Sequence, residues 1–274
     1  MNQILCSTGA IVGRPNGRNI KLLSEAVRYL ECDGFELMMY ESWYDKLNEI
    51  TDFMRDFPAS VPVLHVDKTV GEFISRCTAT DTAEALRRFE INCRLATEVG
   101  AKKLVLHLWN GVGSDRNMSH NYECIGSLDR IATAHGTILT VENVVCEKTD
   151  PLDHLEKLAE RYPNIHFTFD TKMAAFHGQL ERLYEERSAP IRNRICHIHA
   201  NDYGGGYKEW NRLQTLHIGD GHIDFDAFFS DIRKWGYKGT FTIESTAFRP
   251  DGSVDYNKLN QSLLAVRKYL QAHQ

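Results

Sequence analysis

Four short segments each close a run of strand-forming residues on a side chain that can bind a divalent metal ion. They are Thr140-Val141-Glu142-Asn143, Phe167-Thr168-Phe169-Asp170, Cys196-His197-Ile198-His199 and Phe241-Thr242-Ile243-Glu244. Side chains alternate along a strand, so an inward Glu142 brings Thr140 with it. By the same parity Asp170 brings Thr168 and His166, His199 brings His197, and Glu244 brings Thr242. Glu142, Asp170, His199 and Glu244 form a set that is mostly oxygen with one imidazole, which suits Mn²⁺, Mg²⁺, Co²⁺ or Zn²⁺. Two more histidines close earlier runs, at Pro62-Val63-Leu64-His65 and Leu104-Val105-Leu106-His107. They are candidates for a second metal position sharing Glu142, or for hydrogen bonds to substrate hydroxyls. His217, in His217-Ile218-Gly219-Asp220-Gly221, is a candidate for the rim of the same site.

Side chains so far apart in sequence meet only if the fold gathers strand ends. The last four strand ends are spaced roughly as in the repeat of an eight-stranded β/α barrel, whose chemistry collects at the C-terminal ends of its strands. Strands are expected at 3–7, 34–40, 61–66, 103–108, 137–142, 165–170, 194–199 and 239–244. Helical periodicity lies between them near 19–32, 43–56, 81–99, 118–135, 151–162, 173–187, 224–236 and 255–272. This alternation predicts an α/β fold, a (β/α)8 TIM barrel spanning 1–274 as one domain. An open, doubly wound sheet rarely spaces eight units so evenly. Asp81 and Asp150-Pro151 read as helix starts, and Gly100 and Gly236 as helix stops.

The segments 66–80, 108–117 and 200–223 read as the loops that set specificity. Lys68, Lys172, Lys208, Arg212 and Arg249 follow strands and are candidates for binding a phosphate or carboxylate. Gly111-Val112-Gly113 is a weak candidate for a phosphate cradle. Glu36 is expected to anchor loops by hydrogen bonding, and His197 to support His199 from below. His120, His135 and His154 are expected on solvated helix faces or in loops.

The 274 residues are 42% hydrophobic and 25% charged, enough apolar content for a substantial core. A net charge of -5 gives no global basic field, which weighs against nucleic acid as a partner. Seven scattered cysteines without CxxC spacing suggest a reduced set and a cytoplasmic location. No run of 18 apolar residues and no basic leader is present, so neither membrane span nor signal peptide is expected. Apolar surface on the outer helices would support a homo-oligomer.

At these residues the chain resembles the xylose-isomerase-like barrel superfamily. That group holds sugar-phosphate isomerases and epimerases, inosose dehydratase, and apurinic endonucleases of the endonuclease-four type. The resemblance covers nearly the whole length. It is most specific from Val141-Glu142-Asn143 through Phe169-Asp170-Thr171, His197-Ile198-His199-Ala200-Asn201-Asp202 and His217-Ile218-Gly219-Asp220-Gly221 to Thr242-Ile243-Glu244. It implies that Glu142, Asp170, His199 and Glu244 take the places of shared metal ligands. In the ketose epimerases, the glutamates in the places of Glu142 and Glu244 also move protons on opposite faces of the substrate. In the endonucleases, residues in the places of His65, His107 and Glu142 hold an additional zinc. The last endonuclease site is mostly missing, because Met173 and Thr215 stand where it needs a histidine and an aspartate. Met173 also replaces a substrate-contacting histidine of the epimerases.

The expected activity is that of a metal-dependent isomerase or epimerase, working through an enediolate with one divalent ion. Its partner would be a carbohydrate-like small molecule: a sugar, a polyol or a related keto compound. The alternatives are a metal-dependent dehydratase of a keto-polyol and a multi-zinc phosphodiesterase resembling the apurinic endonucleases.

Overall fold

The computed structural model describes residues 2–111 and 113–272. Eight strands close into a parallel barrel in sequence order. They are β1 Ile4–Ser7, β2 Gly34–Met38, β3 Val63–His65, β4 Lys103–Leu106, β5 Ile138–Glu142, β6 His166–Asp170, β7 Ile195–His199 and β8 Thr240–Ile243. The last strand returns to the first through the pairs Ile4 with Phe241 and Leu5 with Thr242. Every strand anticipated from the sequence is present, somewhat shorter than its apolar run.

The register puts two different chemistries on the two faces of each strand. Ile4, Phe35, Leu37, Leu64, Leu104, Val141, Phe167, Ile198 and Phe241 point outward into the main hydrophobic core, between strands and helices. Leu5, Val63 and Val105 form a separate small apolar cluster. Their parity makes them inward-facing, and most of their inward companions are polar.

Ten helices surround the barrel among the described residues: α1 Leu23–Tyr29, α2 Leu47–Arg55, α3 Thr69–Ser75, α4 Ala79–Val99, α5 Met118–Ala134, α6 Pro151–Arg161, α7 Thr171–Phe176, α8 Ala189–Arg192, α9 Phe225–Trp235 and α10 Tyr256–Gln271. Their buried stripes follow the helical period, as in Leu259, Leu263 and Val266 of α10. Aromatic packing joins helix to strand where the Phe229 ring of α9 sits 5.4 Å from Phe241 of β8. Gly100 and Gly236 end α4 and α9 in the left-handed conformation, with φ of 78° and 75°. Pro151 opens α6 as expected.

Three local expectations change. Helix α4 starts at Ala79, ahead of Asp81, because the Thr78 hydroxyl caps it by accepting from the Asp81 N–H at 3.0 Å. The helix expected over 173–187 is broken. It begins at Thr171 and stops at Phe176, because Gly178 takes a φ of 61° and the chain continues as two 3-10 turns. Segment 66–80 is not an irregular loop, since it carries α3. The segment 111–113 includes Val112, which lies outside the described residues.

Candidate metal centre

Four strands deliver the four candidate ligands to the same mouth of the barrel. Glu142, Asp170 and His199 are the last residues of β5, β6 and β7, and Glu244 directly follows β8. One donor atom from each lies within 4.8 Å of the other three. His199 Nδ1 is central, 2.8 Å from Glu142 Oε1, 3.3 Å from Glu244 Oε2 and 4.0 Å from Asp170 Oδ2. Asn201 braces two of the carboxylates, donating from Nδ2 to Asp170 Oδ2 at 2.9 Å and to Glu244 Oε2 at 3.0 Å. Asn143 ties β5 to β6, donating to the Asp170 carbonyl at 3.0 Å and accepting from its N–H at 2.6 Å.

Below the ligands a hydrogen-bonded column runs down the barrel. Glu36 of β2 is fully buried, with Oε2 at 2.7 Å from His197 Nε2 and 3.2 Å from His199 Nε2. His197 Nδ1 pairs with Thr240 Oγ1 at 2.6 Å, which in turn accepts from Lys103 Nζ at 3.1 Å. Glu36 therefore holds two histidines and does not anchor loops as the sequence suggested. With Nε2 of His199 bound to a carboxylate, Nδ1 is left to face the other candidate ligands, as in the arrangement that orients metal-binding histidines.

The electrostatics of this cluster fit a cation. Burial alone would raise the Glu142 carboxyl, yet His199 holds it well below the usual range. Burial likewise opposes ionisation of Glu244, and His199 still draws it down. Asp170 is raised to about 6 by burial, with Lys172 pulling the other way. Burial disfavours charge on His199, but Glu244, Glu36 and Glu142 outweigh it and lift the ring well above ordinary imidazole. Here a proton supplies the positive charge that four surrounding carboxylates require. Oxygen donors of this kind with one imidazole match Mn²⁺, Mg²⁺, Co²⁺ or Zn²⁺.

His65 and His107 stand beside Glu142. Their Nε2 atoms are 3.5 and 2.7 Å from its Oε2. The opposite nitrogens are engaged, His65 Nδ1 with the Val66 carbonyl at 2.9 Å and His107 Nδ1 with Asn110 Oδ1 at 3.1 Å. The His65 Nε2 is thus left as an acceptor, whereas His107 Nε2 lies against the Glu142 carboxylate oxygen. Glu142 Oε2 and His65 Nε2 are buried without a hydrogen-bond partner, despite the close His107 nitrogen. Burial pushes His107 down to about 4, so its ring stays neutral at pH 7. This corner accepts hydroxyl protons or a second cation.

A cavity of about 880 Å³ opens above these groups. Glu142, Glu244 and His107 line it, as do Lys68 and Lys172 among the sequence-derived cations. Lys208, Arg212 and Arg249 do not. Lys208 pairs with Asp150 at 3.3 Å, Arg249 with Asp255 at 3.3 Å, and Arg212 donates to the Gly204 carbonyl at 3.2 Å. His217 is buried behind the rim, bound to Ser262 Oγ at 3.0 Å and the Thr246 carbonyl at 3.1 Å. His120 and His135 are half-buried. His154 is not solvated: it is buried between the Tyr122 hydroxyl and Thr149 Oγ1, each at 2.6 Å. The sequence reading did not single out Arg14, Arg18, Tyr40 and Asn110 of the cavity wall, or Asn201 as a brace.

The sequence matches the family model for xylose isomerase-like TIM barrels over residues 24–267, and the chain belongs to that family. Among curated proteins, an uncharacterized protein of Methanocaldococcus jannaschii is 25% identical over 182 residues, covering 61% of this chain and 60% of that protein. The match thus spans less than two thirds of that relative's length. A D-tagatose 3-epimerase-like protein superposes with a TM-score of 0.73 at 17% identity, over 98% of this chain and 97% of the other. The D-allulose 3-epimerase from Methylomonas sp. in complex with D-allulose gives 0.70 at 14% identity, over 98% and 97%. The IolI protein with a bound zinc atom gives 0.70 at 15% identity, over 97% and 96%. At these identities the likeness is one of fold. No helix among the described residues is long and apolar enough to cross a membrane.

Proposed function

We propose that this protein is a metal-dependent isomerase or epimerase of a sugar, polyol or related keto compound. The observation that carries this is the placement of two glutamates on one cavity. Glu142 and Glu244 belong to the β5 and β8 ends, on either side of the pair β6–β7 that supplies Asp170 and His199. A divalent ion held by Glu142, Asp170, His199 and Glu244 would supply Lewis acidity to the adjacent oxygens of an α-hydroxy ketone. One glutamate takes the proton next to the carbonyl and the other returns one, giving inversion or carbonyl migration. Both carboxyls are held below their ordinary range, so each is in the ionised form that a general base needs. Asn201 fixes Glu244 through Oε2, which leaves Oε1 to serve the substrate.

His65 and His107 then accept hydrogen bonds from substrate hydroxyls, and the site works with one tightly held ion. Met173 and Thr215 both line the cavity, and neither offers a strong ligand for a further zinc, which counts against phosphodiester cleavage. The cysteines are free, four of them buried, in keeping with a reducing cytoplasmic setting. Glu244→Gln should fold normally and lose epimerisation across a ketose panel that the parent converts. Near-parental turnover by that variant would refute the role. Product mass separates the alternatives, since a dehydratase loses water and an isomerase does not.

A further inference from the structure

Around the cavity the acids have hydrogen-bond or ion-pair partners, whereas the cations have no carboxylate partner. Glu41 and Asp67 lie 2.9 and 3.7 Å from Arg88 Nη1, and Glu72 accepts from Asn110 Nδ2 at 2.7 Å. Arg14, Arg18, Lys68 and Lys172 line the same space. Among the described residues, none of the four has a carboxylate oxygen within 4.0 Å, whereas Lys208 and Arg249, away from the cavity, both do.

Lys172 is the most informative of these. It is 8% exposed, and its ammonium donates one hydrogen bond, to Thr215 Oγ1 at 2.9 Å. A buried ammonium is costly unless an opposite charge meets it. The neighbouring Asp170 feels this charge but makes no ion pair with it, its Oδ1 accepting from the Met173 N–H at 2.7 Å and its Oδ2 from Asn201. Lys68 is exposed on the rim, close enough for its charge to be felt at His107. Arg18 is already posed: Nη1 donates to Ser42 Oγ at 2.9 Å, and the guanidinium lies 4.6 Å over the Tyr40 ring. Its Nε is buried without a partner. The cavity's 880 Å³ lies toward the upper end of the roughly 300–1,000 Å³ of ligand sites. There is room for a further polar group beyond the atoms that would reach the ligand cluster.

We infer that the substrate is anionic, an α-hydroxy carbonyl compound whose phosphate or carboxylate is bound by Lys172 and Lys68, with Arg14 and Arg18 on the wall formed by the loop after β1. This rests on the isomerase reading of the site and narrows it. In a protein whose net charge is -5, such a wall is a local feature and not a general basic surface.

The test uses Mn²⁺-loaded protein and three probes: D-fructose, D-fructose 6-phosphate and 5-keto-D-gluconate. At least one anionic ketose should bind about tenfold or more tightly than the neutral one, the scale of one charge-assisted hydrogen bond. The arm that gains identifies phosphate or carboxylate. The advantage should shrink as salt rises, and should be lost in Lys172→Met and in Lys68→Met. The second substitution is at an exposed position and guards against misfolding of the first. Equal affinity for all three probes, or an advantage that survives both substitutions, overturns the inference. Inorganic phosphate, offered to the metal-free protein so that no ion can capture it, separates this from the isomerase reading. Phosphate bound by the parent and not by the variants supports the anion site even where no ketose is converted. Ketose conversion without anion preference sinks the site and leaves the isomerase standing.

Discussion

Replacing Glu36 with glutamine removes one charge and almost no volume from beneath the ligand cluster. The native carboxylate accepts from two imidazoles, at 2.7 Å from His197 Nε2 and 3.2 Å from His199 Nε2. A carboxylate offers acceptors only, whereas an amide turns an N–H group toward one of the two rings. His199 then loses the partner that keeps Nδ1 aimed at Glu142, Glu244 and Asp170. Loss of such an outer partner typically weakens metal binding about 10–100-fold, or roughly 1.4–2.8 kcal/mol. The metal-free protein should suffer less, because the substitution also removes one of four crowded carboxylates. Calorimetric titration of chelator-stripped parent and Glu36→Gln with Mn²⁺, together with thermal melts, measures both quantities. An affinity within about twofold of the parent, in a variant that melts normally, would show that the column below His199 does not position it.

Three further outcomes follow from the geometry. His199→Ala should strip the bound ion, while His65→Ala should keep it and weaken ketose binding; elemental analysis returning two ions in the parent and one in His65→Ala would replace the one-ion site with a binuclear one. Gly71 of α3 packs so closely on the β4 end that an added Cβ would run into the His107 backbone oxygen. Gly71→Ala should therefore lower the unfolding stability measured in urea by about 1–3 kcal/mol, and an unchanged midpoint would contradict the packing. Burial holds His154 down to about 4, against 6.5 when unfolded. Between those values the unfolded chain binds more protons, so this group's contribution is complete above 6.5 and is lost as pH falls toward 4. The loss from pH 7 to 5 is roughly 2 kcal/mol. His154→Gln should flatten that slope, and equal slopes in parent and variant would exclude the effect.

The barrel was legible because each strand repeats one simple pattern. Phe35 and Leu37 point out while Glu36 points in, and the same parity places Thr140 with Glu142 and His197 with His199. That parity could also have found Glu36 as an interior residue, and carrying it past the end of β7 puts Asn201 on the His199 side. His154 was recoverable too: Pro151, His154, Leu155 and Leu158 fall on one helical face, and all are buried. Other features had no such signal. Gly71 weakens the helical pattern of α3, yet its lack of a side chain is what allows the close approach to His107. Arg14 and Arg18 reach the cavity through a loop in which Arg18 has a φ of 54°, a conformation that no periodicity reports. Lys208 is held by its ion pair with Asp150, a residue distant in sequence that only the fold brings beside it.

The polarity inside the barrel explains why the site can be so highly charged. Apolar packing is concentrated in the ring between strands and helices, where large side chains such as Phe167, Phe169, Phe229 and Phe241 are fully buried. The interior contributes little beyond Leu5, Val63 and Val105 to that packing, and is filled by Thr140, Thr168, His197, Thr242 and Glu36. Those groups satisfy one another, as in the 2.7 Å bond between the Thr140 and Thr168 hydroxyls. A hydrogen-bonded interior of this kind can fix His199 and the carboxylates around it without demanding that they be apolar or neutral. The outer ring meanwhile supplies the burial that stabilises the fold. Changes to the column should therefore register in metal affinity before they register in folding, whereas changes such as Gly71→Ala, which wedge a helix away from a strand end, should register in both.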